Sequence, residues 1–207
     1  RAPLPSIDKV FVYGNYSGGH VALGTYTLRL ILDQDSVETT VEILADPRVQ
    51  ASLNDYVSQQ EMMISIEQAI KEIHEAVNDM RSAKSQIEYY QSMLEESAVA
   101  PEIIELGGDI IAQIEAWERA LIQPDQKTFQ DVINFHNQLN AQWMNLKDYV
   151  DSADPILTAG AKERFNDLKG QWISFQQTKN QIINEEMEQF NQLYKALDLP
   201  MIMIPNR

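Results

Sequence analysis

The stretch Leu44-Ala45-Asp46-Pro47-Arg48-Val49 separates two hydrophobic periods in this chain of 207 residues. On its N-terminal side, apolar and polar residues alternate with a period of two, which is typical of a half-buried β-strand. On its C-terminal side, apolar residues recur every three or four positions over about 150 residues, which is typical of amphipathic helices. The sequence therefore predicts an α+β fold, with a small β-element followed by a long helical body.

The β-element is predicted to be an antiparallel hairpin within residues 1–48. Tyr26 to Leu32 and Val37 to Ile43 alternate in polarity, and Asp33-Gln34-Asp35-Ser36 between them has the composition of a turn. We expect one face of this hairpin to be buried, as in a partial Ig-like sandwich. Because a lone hairpin is marginally stable in water, its cover would be a strand at Val10–Tyr13, a helix, or strands further upstream.

Four helices are predicted within residues 49–200, at about 51–97, 102–122, 126–150 and 158–197. Ser52 with Asp55, and Thr128 with Asp131, have the spacing of helix N-caps. The first helix would be about 68 Å long at 1.5 Å per residue. Its apolar seam consists of Met63, Ile66, Ile70, Ile73, Val77, Met80, Ile87 and Leu94.

The helix lengths predict a path for the chain. Short connections favour antiparallel neighbours, so helices 1 and 4 would form a long antiparallel hairpin that widens into a four-helix bundle where helices 2 and 3 pack. Helix 4 would then end beside the β-element, and the tail 201–207, with Met201-Ile202-Met203-Ile204, would pack back on it.

Composition and charge exclude several classes of function. The net charge is −15, from 31 acidic and 16 basic residues, which argues against binding of nucleic acid or of anionic membrane surfaces. Cysteine is absent, which excludes disulfides, thiolate metal sites and cysteine nucleophiles. No apolar run approaches the ~20 residues of a membrane-spanning helix. The chain begins with Arg1, so we interpret it as part of a longer protein.

Motifs for catalysis or metal binding are weak. His74-Glu75-Ala76-Val77-Asn78 lacks the second histidine of a zinc protease helix, so His74 is expected to face solvent. His136 lies on the apolar stripe of helix 3 and is expected to be partly buried. The acidic groups Glu95-Glu96 and Glu185-Glu186 with Glu188 are expected at solvated helix surfaces rather than as paired catalytic carboxyls. We therefore predict no catalytic, cofactor-binding or metal-binding residue.

Aromatic residues divide into core and candidate contact residues. Trp117, Trp143 and Trp172 fall on helical seams and are predicted to pack in the core. Tyr13, Tyr16 and His20 flank the glycine-rich segment before the hairpin. These three residues are the candidate surface for a ligand or partner.

The segment HVALGTYTLRLILDQDSVETTVEILADPRV at 20–49 resembles a segment near the C-terminus of exported bacterial proteins with sortilin-like, BNR-repeat β-propellers, many of which are labelled glycosyl hydrolases. The matching motifs are Gly24-Thr25-Tyr26, Asp46-Pro47-Arg48, Asp131-Val132-Ile133-Asn134, Leu139-Asn140 and the ending LYKALDLPMIMIP at 193–205. The resemblance spans about residues 9–205. It implies an upstream propeller in the same polypeptide and a periplasmic or cell-surface location.

Three hypotheses follow. The first is a non-catalytic C-terminal accessory module that acts as a spacer, docking or assembly element for the upstream propeller. The second is a glycan- or peptide-binding module that uses the Tyr13–His20 loop or the bundle tip. The third is a part of a glycoside hydrolase, with catalysis through surface glutamates or in the upstream propeller. None of them requires a cofactor, and self-association through an exposed helical stripe is also possible.

Overall fold

The computed structural model describes residues 4, 6–7, 14–95 and 101–197. Its elements are β1 (Gly24–Leu32), β2 (Asp35–Ile43), α1 (Leu53–Glu95), α2 (Pro101–Leu121), a 3₁₀ turn (Phe129–Ile133), α3 (Leu139–Val150), α4 (Ala159–Gln181), a π-helical turn (Ile182–Met187) and α5 (Glu188–Ala196). The expected α+β class is confirmed, with an antiparallel two-stranded sheet followed by helices. The fourth predicted helix is the continuous run of α4, the π-helical turn and α5.

The change of period coincides with a closed turn. The backbone N–H of Val49 donates to the carbonyl of Asp46 at 3.0 Å, and Arg48 Nη2 donates to Asp46 Oδ2 at 2.6 Å. The hydrogen bonds from Arg48 lower the pKa of Asp46 below its usual value. Ser52 then starts α1, because its backbone N–H and its hydroxyl both donate to Asp55 Oδ2, at 2.8 and 2.6 Å. The predicted N-cap of helix 1 is confirmed.

The hairpin has the predicted strands but lacks the predicted buried face. Its register pairs Leu32 with Asp35 and Gly24 with Ile43, and Asp33 in the turn has a φ of 53°. In the described part of the chain, no helix packs against either face of this sheet. The expectation of one buried face is therefore wrong for the described residues. The predicted covers, residues 10–13 and the tail 201–207, lie outside them.

Helices α2 and α3 pack end to end along α1 and run antiparallel to it. Gln91 Nε2 donates to the carbonyl of Ile104 at 2.7 Å, so the start of α2 lies against the end of α1. Further down, Gln59 Nε2 donates to the carbonyl of Val150 at 2.7 Å, so the end of α3 lies against the start of α1. The chain has therefore already returned to the hairpin end of the bundle when α3 ends.

The last helix runs parallel to α1, which corrects the expected path. Trp172 Nε1 donates to Glu72 Oε2 at 3.1 Å, and the rings of Tyr90 and Tyr194 lie 4.7 Å apart. The described part of the bundle thus has three helices at each level, with α1, α3 and α4 near the hairpin and α1, α2 and α5 at the far end. The predicted widening into a four-helix bundle is therefore wrong for the described residues. The prediction that helix 4 ends beside the hairpin is also wrong, because this helix ends at the far end of α1.

The predicted core is confirmed along α1, where Ile66, Ile70, Ile73 and Val77 are fully buried. The three tryptophans are also buried, at 4% exposure or less. No helix among the described residues has the length and apolar character needed to cross a membrane.

Two details of the helical region differ from expectation. Helix 3 begins at Leu139 rather than near 126, and Thr128 and Asp131 form a capping box on the 3₁₀ turn instead. His136 is consequently exposed in the segment before α3 rather than partly buried on a helical stripe. His74, expected to face solvent, is fully buried, and its Nε2 lies 3.0 Å from Asn140 Oδ1.

Candidate docking site

The loop at residues 14–22 fastens the hairpin to the helices, and a buried lysine holds its first half. Lys147 on α3 is 1% exposed, and its Nζ donates to the carbonyls of Asn15 at 3.1 Å and Ser17 at 2.8 Å. Hydrogen bonds to a charged donor contribute more than neutral ones, about 1.5–3 kcal/mol each. Lys147 therefore holds the first half of the loop to α3 through backbone carbonyls. This contact does not depend on which side chains the loop carries.

Carboxylate and amide side chains of α1 hold the second half of the loop. Glu67 Oε1 accepts from the backbone N–H of Gly19 at 2.6 Å, and Gln60 Oε1 accepts from that of Ala22 at 2.6 Å. The hydroxyl of Tyr26, inside β1, donates to the carbonyl of Ala22 at 2.8 Å. The first strand thus leaves the bundle from a fixed point, and the second strand returns through the Asp46–Arg48 turn into the cap of α1.

The hairpin has one apolar and one polar face, because side chains alternate across a strand. The polar face carries Glu42, the ion pair between Arg29 and Glu38, and also Thr25, Thr27, Thr40 and Ile31, whereas Thr39 lies beside Leu28 on the opposite face. The apolar face carries Tyr26, Leu28, Leu30, Leu32, Val37 and Val41. This second group, with its one tyrosine, is named here the apolar face of the hairpin.

The apolar face is exposed to solvent. Leu30 and Leu32 are each 73% exposed, Val37 is 69% exposed and Leu28 is 55% exposed. At roughly 100 Å² for each fully exposed aliphatic side chain, the five aliphatic residues present on the order of 300 Å² of apolar surface. Burying that surface would contribute about 8 kcal/mol before the costs of association are subtracted. A contiguous apolar patch of this size is at the lower end of the largest patches on soluble monomers, and such patches are often functional.

The sequence-predicted contact residues lie in the fastening loop rather than on an open site. Tyr16 is half-buried, with its ring centroid 5.9 Å from that of His74, and burial raises the pKa of Tyr16 to about 12. His20 has an exposed ring whose Nδ1 lies 2.8 Å from Asp151 Oδ1. Tyr13 lies outside the described residues. Tyr16 therefore contacts α1, whereas His20 contacts the residue that follows α3.

The described glutamates among those considered as paired carboxyls lie along one helix. Glu185 and Glu186 belong to the π-helical turn and Glu188 begins α5, so the three follow one another along a helix surface. Glu96 and the side chain of Glu95 lie outside the described residues. Among the residues described, no group of His, Cys, Asp and Glu is arranged to hold a metal ion.

A groove between α3 and the start of α4 is a feature that the sequence did not predict. It has a volume of about 440 Å³, with Leu146 and Ala161 as apolar lining and Gln142, Asn145 and Arg164 as polar lining. Tyr149, which is 58% exposed, also lines it. No spacing rule brings residues of two different helices together, so this groove could not be read from the sequence.

The residues that hold the loop, Gln60, Glu67 and Lys147, were not predicted from the sequence, although one feature of the sequence indicated Lys147. Lys147 follows Asn140 and Trp143 on the buried face of α3, where a lysine is unusual unless it is paired. A charged residue at an apolar position was therefore the signal for a buried backbone contact.

Comparison of this chain with models of protein families, with curated proteins and with solved structures gives no match.

Proposed function

We propose that this chain is a non-catalytic C-terminal accessory module of a larger exported β-propeller protein, in a periplasmic or cell-surface location. The hairpin would dock on the upstream β-domain through its apolar face, and the three-helix body would act as a spacer. The observation that carries the proposal is an uncovered amphipathic hairpin whose base is fastened to a rigid helical body. The propeller and the location are supported by the resemblance of residues 20–49 and 193–205.

An uncovered hairpin favours a docking role on energetic grounds. Two strands without a covering layer are marginally stable in water, and an exposed apolar sheet promotes aggregation. Both costs disappear when another layer covers the apolar face. The loop at residues 14–22 also favours docking, because a surface that is already held in place loses less conformational entropy on binding.

The size and charge of the surface favour a partner within the same polypeptide. About 300 Å² of apolar surface is small beside the roughly 800 Å² that each partner buries in a typical specific complex. A second copy would also bring together two chains of net charge −15. A tethered partner has an effective concentration near the millimolar range, so a small interface suffices to keep it docked.

Cysteine labelling tests this proposal directly, since the chain has no cysteine of its own. Leu30→Cys places a thiol on the apolar face, and Ile31→Cys places one on the polar face of the same strand. The two positions are matched, at 73% and 65% exposure. In the isolated chain we expect both thiols to react with a maleimide at similar rates. In the full-length polypeptide the Leu30→Cys thiol should react at least tenfold more slowly, while the Ile31→Cys thiol keeps its rate.

Equal reaction rates at both positions in the full-length polypeptide would contradict docking through the apolar face. Light scattering on the isolated chain provides the second control. A stable dimer that slows Leu30→Cys labelling in the isolated chain would indicate a second copy as the occupant instead.

A second candidate function, glycan or peptide binding, is favoured by the groove beside Tyr149. An exposed aromatic ring next to amide and guanidinium groups offers both stacking and hydrogen bonding to a polar ligand. Titration with soluble oligosaccharides, followed by amide chemical shifts, should then perturb residues 142–164, and Tyr149→Ala should abolish the shifts. Unchanged shifts at millimolar oligosaccharide would remove the glycan version of this candidate.

A further inference from the structure

The two outer edges of the hairpin differ in charge. Strand β2 carries Asp35, Glu38 and Glu42, whereas β1 carries Arg29 as its one charged residue. The guanidinium of Arg29 is already paired across the sheet with Glu38. Charged side chains on an edge strand hinder the addition of another strand. The edge of β2, with three charged residues, therefore has more of this protection than the edge of β1, with one.

The register shows which backbone groups face those edges. The turn closes on the pair Leu32 and Asp35, as a four-residue β-turn closes with a hydrogen bond between its end residues. Hydrogen-bonded and non-hydrogen-bonded pairs alternate along an antiparallel ladder. Thr27 and Thr40 are the fifth pair after Leu32 and Asp35, so they form a non-hydrogen-bonded pair. The N–H and C=O groups of such a pair point outward, away from the partner strand.

We propose that the outer edge of β1 receives a β-strand of the upstream β-domain, and this inference rests on the docking role proposed above. The added strand would pair with the outward backbone groups of β1 and extend the apolar face sideways. In the described part of the chain neither edge of the hairpin is paired, so the position is open.

Charge defines the composition of the added strand. An added strand lies next to β1, whose one charged side chain is Arg29, whereas the carboxylates of β2 lie one strand further away. The strand that fits therefore alternates apolar residues with neutral polar ones, because a basic residue beside Arg29 would bring like charges together. Its apolar residues continue the face of Leu28 and Leu30, and its polar residues lie on the side of Thr25, Thr27 and Arg29.

An acetylated octapeptide in which valine alternates with threonine and serine serves as the probe strand, and amide hydrogen exchange of the 207-residue chain is the readout. With millimolar peptide, the outward amides of Thr25, Thr27, Arg29 and Ile31 should exchange at least tenfold more slowly. The outward amides on β2, at Ser36, Glu38, Thr40 and Glu42, should keep their rates. Protection on β2, on both edges equally, or on neither edge would overturn the inference.

Thr27→Pro and Thr40→Pro form a matched pair of variants, because the two threonines face each other across the sheet. Each proline removes one outward N–H and leaves the bonds between β1 and β2 in place. Thr27→Pro should abolish the peptide-induced protection, and Thr40→Pro should retain it. Should either proline unfold the hairpin, as judged from lost protection of inward amides, the exchange pattern of the unmodified chain decides the question.

This experiment separates the strand-addition inference from the proposed function. If Leu30→Cys is protected in the full-length polypeptide but the edge amides of β1 are not, docking stands and strand addition at β1 fails. If neither is protected, both fail.

Discussion

Replacing Lys147 with methionine tests whether the buried lysine fastens the hairpin loop to the helices. Methionine keeps the length and the apolar stem of the side chain but removes two hydrogen bonds, at 3.1 and 2.8 Å, to the carbonyls of Asn15 and Ser17. Each such bond to a charged donor contributes about 1.5–3 kcal/mol. Part of this loss is offset, because a buried ammonium no longer has to be desolvated. We expect a net decrease of about 2 kcal/mol in the free energy of unfolding.

Urea denaturation measures that decrease, and amide exchange locates it. With an m-value of about 3 kcal/mol/M, the urea midpoint should fall by roughly 0.7 M. The amides of Gly19 and Ala22 should lose protection first, since they belong to the released loop. Lys169→Met, at an exposed position of α4, is the matched control and should change stability by less than about 0.5 kcal/mol. An unchanged midpoint together with unchanged exchange at Gly19 and Ala22 would refute the fastening role.

Three further predictions concern local structure. Gly108→Ala should raise the free energy of unfolding by about 1 kcal/mol, because the new Cβ meets no atom closer than 4.0 Å. Gly107→Ala should have a free energy of unfolding at least 1 kcal/mol below that of Gly108→Ala, because its Cβ would lie 2.8 Å from Gln91 Nε2. Thermal melts of the two variants, run in parallel, measure the difference. Asp33→Gly should slow amide exchange in the hairpin about threefold, because a φ of 53° suits glycine better than aspartate, and faster exchange would contradict this. Stability should fall as pH rises from about 10 to 12, since the pKa of Tyr16 is raised from 10.0 to about 12 and folding favours its neutral form; urea midpoints of Tyr16→Phe should lack that component of the decline.

The elements that follow from local chemistry were predictable from the sequence. Alternation predicted strands at Tyr26–Leu32 and Val37–Ile43, which lie within the observed strands Gly24–Leu32 and Asp35–Ile43. The Ser52–Asp55 cap predicted the start of α1. The seam of α1 was predictable for the same reason, because a helix presents every third or fourth residue to its neighbour.

Other elements depend on contacts between distant segments, which spacing does not encode. Thr128 and Asp131 have capping chemistry, but the chain after them makes a 3₁₀ turn and starts α3 only at Leu139. His74 is buried because α3 brings Asn140 against it. The direction of the last helix depends on how α2 and α3 pack. Because these two helices follow each other along α1 and both run antiparallel to it, the chain is back at the hairpin end when the last helix begins.

The candidate site shows the same division. Alternation identified which hairpin residues share the apolar face, but whether a layer covers that face depends on tertiary packing. Tyr16 and His20 lie in the loop that is hydrogen-bonded to α1 and α3, and their role as a ligand or partner surface stays a prediction. The lysine that holds this loop was not predicted, because its two acceptors are backbone carbonyls of a distant segment.

An experimental structure of the full-length polypeptide tests the central claim most directly, and the solvent exposure of Leu30 is the quantity to measure. The account predicts that Leu30, 73% exposed in this chain, falls below about one tenth exposure against a β-sheet of the upstream domain. A structure in which Leu30 and its neighbours on that face remain open to water, with the upstream domain attached elsewhere, would contradict it.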